Sequence, residues 1–557
     1  MPSFEEIAEE IIYNSISSVM FIDDELIEPF SENPSGSIDL SKGIYDTFRT
    51  EDCNIDFFKY NGADGWQTKI NNNLKGKDML ILDWQLAKTS PEYKPTLSIL
   101  TEAVKKPNLH FVCIYTEVKK GAFDDIFYSI NSFFAPFTAD IIDEDLQAVT
   151  TILFDAGLDF DTIFNPDIVS KLKEMVIYRN KAGETMNEIR SSIIENHGQD
   201  AFKLINNYLV SRYKAKIHPS LIYGYCALGI GITKSILGLD EHVNGLEIRN
   251  YVDKQFLIVN HTIILLTNKS DVKPKGLYER FKNAIIHDSG NFVTLMGLEM
   301  RNLFKESSSF IGKDIDSINQ LAFFHHKDQS VPSEAFYDFL RELWKSQAAS
   351  FLYDKNRQPK IFETLDEYKV KNDIGDKLKT FIADPKIYVQ HLAKLNYYYN
   401  NLVAARPEND QLRFGDIFRI VENDQPTNHY LICITAHCDC LYSENKINNM
   451  FYFVKGSKGN LEQALNNGDT GFDSYIINKK DVEVINWGDK PFTLFIKQDQ
   501  NNIDNRITVF IGEDKKELEF IATVKENYAQ RIANSAFAYP FHVGIFFADT
   551  KSKQSKS

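Results

Sequence analysis

Two stretches of the chain share one shape. In SSVMFIDDELI, Ser17–Ile27, four apolar residues in a row run straight into two carboxylates, Asp23 and Asp24. In KDMLILDWQL, Lys77–Leu86, a second apolar run ends in Asp83. Two further runs, NIDFFKY and LHFVCIYT, complete a set of four short apolar segments, each followed by turn or helix chemistry. Continuous apolar strands suit a parallel sheet covered on both faces. Their alternation with amphipathic segments predicts an α/β domain over residues 1–167. From 168 to 405 apolar residues recur at spacings of three and four, as in VPSEAFYDFLRELWKSQAASFLYD, which predicts a mainly helical domain. KQFLIVNHTIILLTN is an exception there and reads as a strand or a buried hairpin. After the polar linker RPENDQ the pattern changes again. FGDIFRIV, HYLICITAHC, NMFYFVKG, FTLFIKQ and RITVFIGE predict a β-rich, small-barrel-like domain over 406–550. Its terminal amphipathic helix is expected in ELEFIATVKENYAQRIANSAF, and residues 551–557 form a polar tail expected to be disordered.

Composition narrows the class. The chain has 557 residues, 43% of them hydrophobic, enough for several cores. Six Cys without framework spacing point to a reducing compartment. The N-terminus, MPSFEEIAEE, is acidic and lacks the basic-then-apolar order of a signal peptide. Apolar runs such as FLIVNHTIILL are too short and interrupted to span a bilayer. A formal charge of −16 repels nucleic acid and anionic membrane. The expectation is a soluble cytoplasmic protein with neither as a partner.

The strand-end acids carry the candidate chemistry. In a parallel α/β sheet, ligands bind outside the C-terminal ends of the strands. If the first and third strands are neighbours, Asp23, Asp24 and Asp83 converge there. Three like charges so close call for a divalent cation, and all-oxygen ligands suit Mg²⁺ or Mn²⁺. An Asp beside such a metal can accept a phosphoryl group as nucleophile. Thr116, at the end of the next strand, offers a hydroxyl to a phosphoryl oxygen.

The order of acidic pair, Asp and Thr at successive strand ends resembles the receiver domain of two-component response regulators, over about Ser17 to Asp140. The resemblance implies a flavodoxin-like fold, with a parallel sheet and helices on both sides. It implies that Asp23 and Asp24 bind Mg²⁺ with Asp83 and the backbone carbonyl of Gln85. Asp83 would take phosphate from a histidine kinase, and Thr116 would be the switch hydroxyl. Two departures stand out. The segment IEPFSENPSGSIDLSK, 27–42, looks like an inserted loop. Receivers also carry a Lys at the end of the fifth strand, whereas residues 121–170 hold no Lys or Arg and ten acidic residues. Lys119 or Lys120 is then the substitute cation, and SFFAPFTADII the candidate fifth strand. The layout as a whole resembles the large response-receiver proteins of bacterial antiphage two-component systems, such as Detocs. That implies a phosphate buffer, competing with a receiver-containing effector for the same sensor kinase.

Other motifs read as structural. In ITAHCDC, residues His437, Cys438, Asp439 and Cys440 resemble zinc ligands in type. Adjacent strand positions face opposite ways, so a turn with buried Cys is the expectation. FGDIF reads as a strand entry, and LGIGITKSILGLD lacks the order of a phosphate loop. His197, His325 and His326 read as surface or capping residues. No transcription-factor helix or familiar enzyme motif is evident, so no catalysis beyond hydrolysis of the chain's own aspartyl phosphate is expected. A receiver gating an unrecognised catalytic site, and an inactive receiver serving as scaffold, remain alternatives.

Overall fold

The computed structural model describes residues 2–27, 38–62, 65–86, 93–106, 111–135, 137, 139–214, 219–230, 248–269, 276–287, 291–308, 320–329, 336–337, 339–340, 343, 359–402, 412–468, 472–478, 481–496, 506–511 and 514–538. The chain forms two compact units, Met1–Ser309 with Arg357–Glu367, and Phe310–Asn356 with Tyr368–Ser557.

The first unit is built on a seven-stranded sheet. Its strands are β1 (Ser18–Asp23), β2 (Asn54–Lys59), β3 (Met79–Leu82), β4 (Phe111–Thr116), β5 (Ile248–Tyr251), β6 (Phe256–Val259) and β7 (Thr262–Asn268), in the order β2-β1-β3-β4-β7-β6-β5. The first five in that order are all parallel. The flavodoxin-like sheet is therefore present, with β7 as its fifth strand. β6 and β5 extend it antiparallel. The four runs anticipated as strands are β1 to β4, and β3, β4 and β7 are buried along their whole length. Continuous burial is what strands covered on both faces require.

The sheet acquires β7 only after a long helical excursion. Helices α1 (Phe4–Ser15), α2 (Ile38–Thr50), α3 (Trp66–Asn73) and α4 (Lys94–Lys105) are followed by α5 (Phe123–Phe133), α6 (Ala139–Asp155), α7 (Phe160–Ile163), α8 (Pro166–Ile177), α9 (Ala182–His197), α10 (Gln199–Tyr213) and α11 (Pro219–Ile230). All from α5 to α11 lie between β4 and β5 in the chain. SFFAPFTADII is thus the end of α5 and the start of α6; the fifth strand lies in KQFLIVNHTIILLTN, which forms the β6–β7 hairpin. The boundary expected at 167 does not separate two domains. Leu82, Ile114 and Leu266 of the sheet share one core with Ile168, Ile189 and Ile205 of the helices. Cutting there would expose apolar surface on both sides.

At the other end of the strands, α12 (Leu277–His287) and α13 (Asn291–Ser308) follow β7, and α1 packs on both. Ser3 and Glu6 close a capping box at the start of α1. Buried Asp78 ties this end together. Its Oδ2 accepts from the backbone N–H groups of Ser17 at 3.0 Å and Ser18 at 3.1 Å, and from the Lys305 ammonium at 2.8 Å. Arg301 of α13 pairs with its other oxygen.

The second unit carries β8 (Asn401–Leu402), β9 (Asp416–Glu422), β10 (Gln425–Cys433), β11 (Met450–Lys458), β12 (Asp473–Asn478), β13 (Asp481–Phe495), β14 (Arg506–Ile511) and β15 (Asp514–Val524). All pairings are antiparallel, in the order β12-β13-β11-β10-β9-β15-β14, with β8 on β15. Among the described residues the end strands β12 and β14 do not pair with each other. FGDIF enters β9, where glycine suits position 415 twice over: its φ is +91°, and a Cβ would lie 2.8 Å from the Val524 carbonyl oxygen. ELEFIATV, read as helix, is β15; only Glu526–Ala538 is helical. Its alternation of charged and apolar residues serves a half-exposed strand equally well. That terminal helix buries Ala529, Ile532, Ala533 and Ala536 against Ile417, Ile432 and Trp487. No described helix is long and apolar enough to cross a membrane. The segment 331–354 lies almost wholly outside the described residues, as do Gly231–Asp240, most of the inserted loop 27–42, and the tail 551–557.

Candidate functional site

Strand register assembles the site. Ile22, Leu82, Ile114 and Leu266 form one row across β1, β3, β4 and β7. The residues that follow this row, on the side where the strands end, are Asp23, Asp83 and then Thr116 and Lys269. Each is held in place by backbone bonds. The Asp83 N–H donates to the Ile22 carbonyl at 3.0 Å, and the Thr96 hydroxyl donates to the Asp83 carbonyl at 3.3 Å. Asp23 Oδ1 accepts from the Glu25 N–H at 2.7 Å.

One carboxylate oxygen from each of Asp23, Asp24 and Asp83 lies within 4.8 Å of the others. Asp23 is fully buried, Asp83 is buried and Asp24 half-buried. Into this cluster reaches Lys269, the residue after β7. Its ammonium is 2.8 Å from Asp23 Oδ2 and 3.1 Å from Asp83 Oδ1. Burial works against that charge, but Asp83 and Asp23 outweigh it and hold the Lys269 pKa above its usual range. Burial pushes the Asp83 carboxyl up to about 6; Lys269 opposes the rise, and Asp23 and Asp24 add to it.

The site brings three carboxylates together with the Lys269 ammonium. The donors are all hard oxygens. This set fits a small divalent cation, Mg²⁺ or Mn²⁺, held by Asp23, Asp24 and Asp83. Gln85, expected to add a backbone carbonyl, lies two residues beyond Asp83 with its side chain exposed.

Thr116 ends β4, buried, and its hydroxyl oxygen accepts from the Val118 N–H at 3.3 Å. The end of β7 fastens to the same turn. The Lys269 N–H donates to the Thr116 carbonyl at 2.7 Å, and the Asn268 side chain donates to the carbonyls of Glu117 and Val118 at 3.1 and 2.7 Å. The ammonium seen in the cluster is thus that of Lys269, just after β7, where Lys119 or Lys120 was expected. Lys119 is exposed, and Lys120 opens the short 3₁₀ turn Lys120–Ala122. Lys269 is the residue the sequence reading missed. Its signal was present in TIILLTNK, an apolar run ending in polar residues like β1 and β3, but far from where a receiver's fifth strand was sought.

The sheet order, the acid cluster and the lysine define a receiver domain. Residues 15–158 match the family model described as the response receiver domain, about a quarter of the chain. The match stops before β7, so the fifth strand and Lys269 come from the structure alone. No curated protein and no solved structure matches the chain, so no homologue stands behind the finer resemblance to the Detocs receiver protein.

The remaining candidates do not gather. Among the described residues the acid cluster is the sole group of three or more potential metal ligands within reach of one ion. His437–Leu441 is a short helix, not a strand; Cys440 is buried and bonded to the Thr435 carbonyl, while Cys438 is exposed. His197 closes the last turn of α9, and His325 and His326 are exposed.

Proposed function

We propose that this chain accepts phosphate on Asp83 from a sensor histidine kinase and acts as a phosphate buffer rather than a transcription factor. The observation that carries the reading is the Lys269 ammonium seated between Asp23 and Asp83 at the strand ends. In the transfer, a carboxylate oxygen of Asp83 attacks the phosphorus of the phosphohistidine. A P–O bond forms, the P–N bond breaks, and the imidazole leaves with the electron pair. A bound Mg²⁺ would supply positive charge to the phosphoryl oxygens. Lys269 lies beside the reacting carboxylate and balances its charge. The Thr116 hydroxyl would donate to a phosphoryl oxygen while its oxygen keeps accepting from the Val118 N–H. Water later attacks the acyl phosphate, returning carboxylate and inorganic phosphate; no other catalysis is assigned to the chain.

The buffer role follows the resemblance to DtcB, the receiver component of the Detocs antiphage system. In cells that also carry the kinase and its effector, Asp83→Ala then raises effector activity. A mutant that instead abolishes or locks an activity of the purified chain would favour a receiver gating its own effector. No change in either would leave an inactive scaffold.

A further inference from the structure

The outer edge of the seven-stranded sheet holds a cleft that the acid cluster does not use. The stretch Ile248–Lys254, comprising β5 and the turn after it, lines one side; the turn Ile177–Lys181, leaving α8, lines the other. Its volume is about 450 Å³, in the range of small-molecule sites. Its lining includes four cations, Arg179, Lys181, Arg249 and Lys254, and one carboxylate, Asp253. The lining itself is net positive, although the chain carries −16.

Three of these cations, Arg179, Lys181 and Lys254, are not consumed by structural ion pairs among the described residues. The Arg179 guanidinium donates to Asn131 Oδ1 at 3.0 Å, to the Ile248 carbonyl at 3.4 Å and to the Tyr223 hydroxyl, all neutral groups. These bonds fix its position without cancelling its charge. The Lys181 ammonium sits 5.8 Å from the centre of the Tyr178 ring. Among the described residues, Arg179, Lys181 and Lys254 pair with no carboxylate. Fixed positive charge in a concave, half-enclosed place raises the local concentration of anions.

The cleft also has flat apolar faces and acceptors. The Tyr251 ring stacks on Phe256, centroids 4.4 Å apart and planes 11° from parallel, so it is a rigid platform. Burial raises the Tyr178 hydroxyl, and the nearby carboxylates of Asp124, Asp253 and Glu174 raise it further. That acidic side suits hydroxyl or amino donors, as the cationic lining suits phosphate. Phosphate groups favour Arg and Lys, and aromatic rings take nucleobases by stacking.

We propose that this cleft binds a phosphorylated small molecule of mononucleotide size, its phosphates held by Arg179, Lys181 and Lys254 and its ring by Tyr251. The site is separate from Asp83 and stands whether or not Asp83 accepts phosphate.

The test is a fluorescence titration of the full-length chain with mant-ADP in EDTA at low salt. EDTA keeps the acid cluster from holding a metal–nucleotide complex. The wild type should bind saturably. Lys181→Glu with Lys254→Glu, both exposed positions, should weaken binding at least tenfold while the melting temperature stays put. Asp83→Ala should bind as the wild type does. Unlabelled ADP should displace the probe far better than inorganic phosphate. No saturable binding at millimolar probe would overturn the assignment, as would equal binding by the charge-reversed pair. Displacement by inorganic phosphate as effective as by ADP would overturn the nucleotide class.

Discussion

Asp83 and Asp78 are both buried carboxylates, and their surroundings push them in opposite directions. Asp83 goes up to about 6, through burial first, against an unfolded value of about 4. The folded state therefore prefers it protonated. The stability this contributes is fully present below about pH 4 and is lost as pH rises through about 6. Near neutral pH the ionised carboxylate burdens the fold. In EDTA, Asp83→Asn should accordingly melt higher than the wild type, by roughly 2 °C or more. Mg²⁺ should stabilise the wild type and do little for the mutant. A mutant that melts lower in EDTA would contradict this reading.

Burial acts upward on Asp78 too, but Lys305, the Ser17 N–H and Arg301 outweigh it and hold the carboxyl below its usual range. Its contribution is present above the unfolded pKa and is lost as pH falls through the depressed folded one. Asp78→Asn leaves Arg301 and Lys305 without their anion and should lower stability by about 3 kcal/mol or more. Chemical denaturation at pH 7 measures it, and the difference should shrink in acid. A loss equally large at pH 3 would mean that packing, not charge, is what the mutation removes.

At the scale of elements, the helical insert hangs between two site residues. Thr116 precedes it and Lys269 follows it, and their backbones are bonded to each other. A phosphoryl group on Asp83, as proposed, would offer Lys269 a new partner, so its effect should reach both strands that frame the insert. Deuterium exchange with beryllofluoride as phosphoryl mimic should show slower exchange in peptides covering Phe111–Phe133 and Phe256–Lys269. Change confined to β3 and α4 would rule out this coupling. The same element marks the limit of what the sequence disclosed. Asp23, Asp24, Asp83 and Thr116 were legible because each ends an apolar run within a few residues of its fellows' pattern. Lys269 was not, because α5–α11 separate β4 from β7 in the chain, and hydrophobic periodicity carries no record of which distant strand pairs. For the same reason the boundary at 167 looked natural in the pattern and is absent from the core.

At the scale of the whole chain, the receiver sheet extends past the residues that match the family model, and the lysine that faces Asp83 lies in the part that does not match. The central claim is that these pieces form one working phosphoacceptor site. Its most direct test is mass-spectrometric measurement of acid-labile phosphate after incubation with Mg²⁺ and a phosphorylated histidine kinase or acetyl phosphate. The wild type and Lys119→Ala should take up label at matching rates, Asp83→Ala should take up none, and Lys269→Ala should be slowed at least tenfold. Label that persists in Asp83→Ala, or a Lys269→Ala that labels like the wild type while Lys119→Ala does not, would contradict the account.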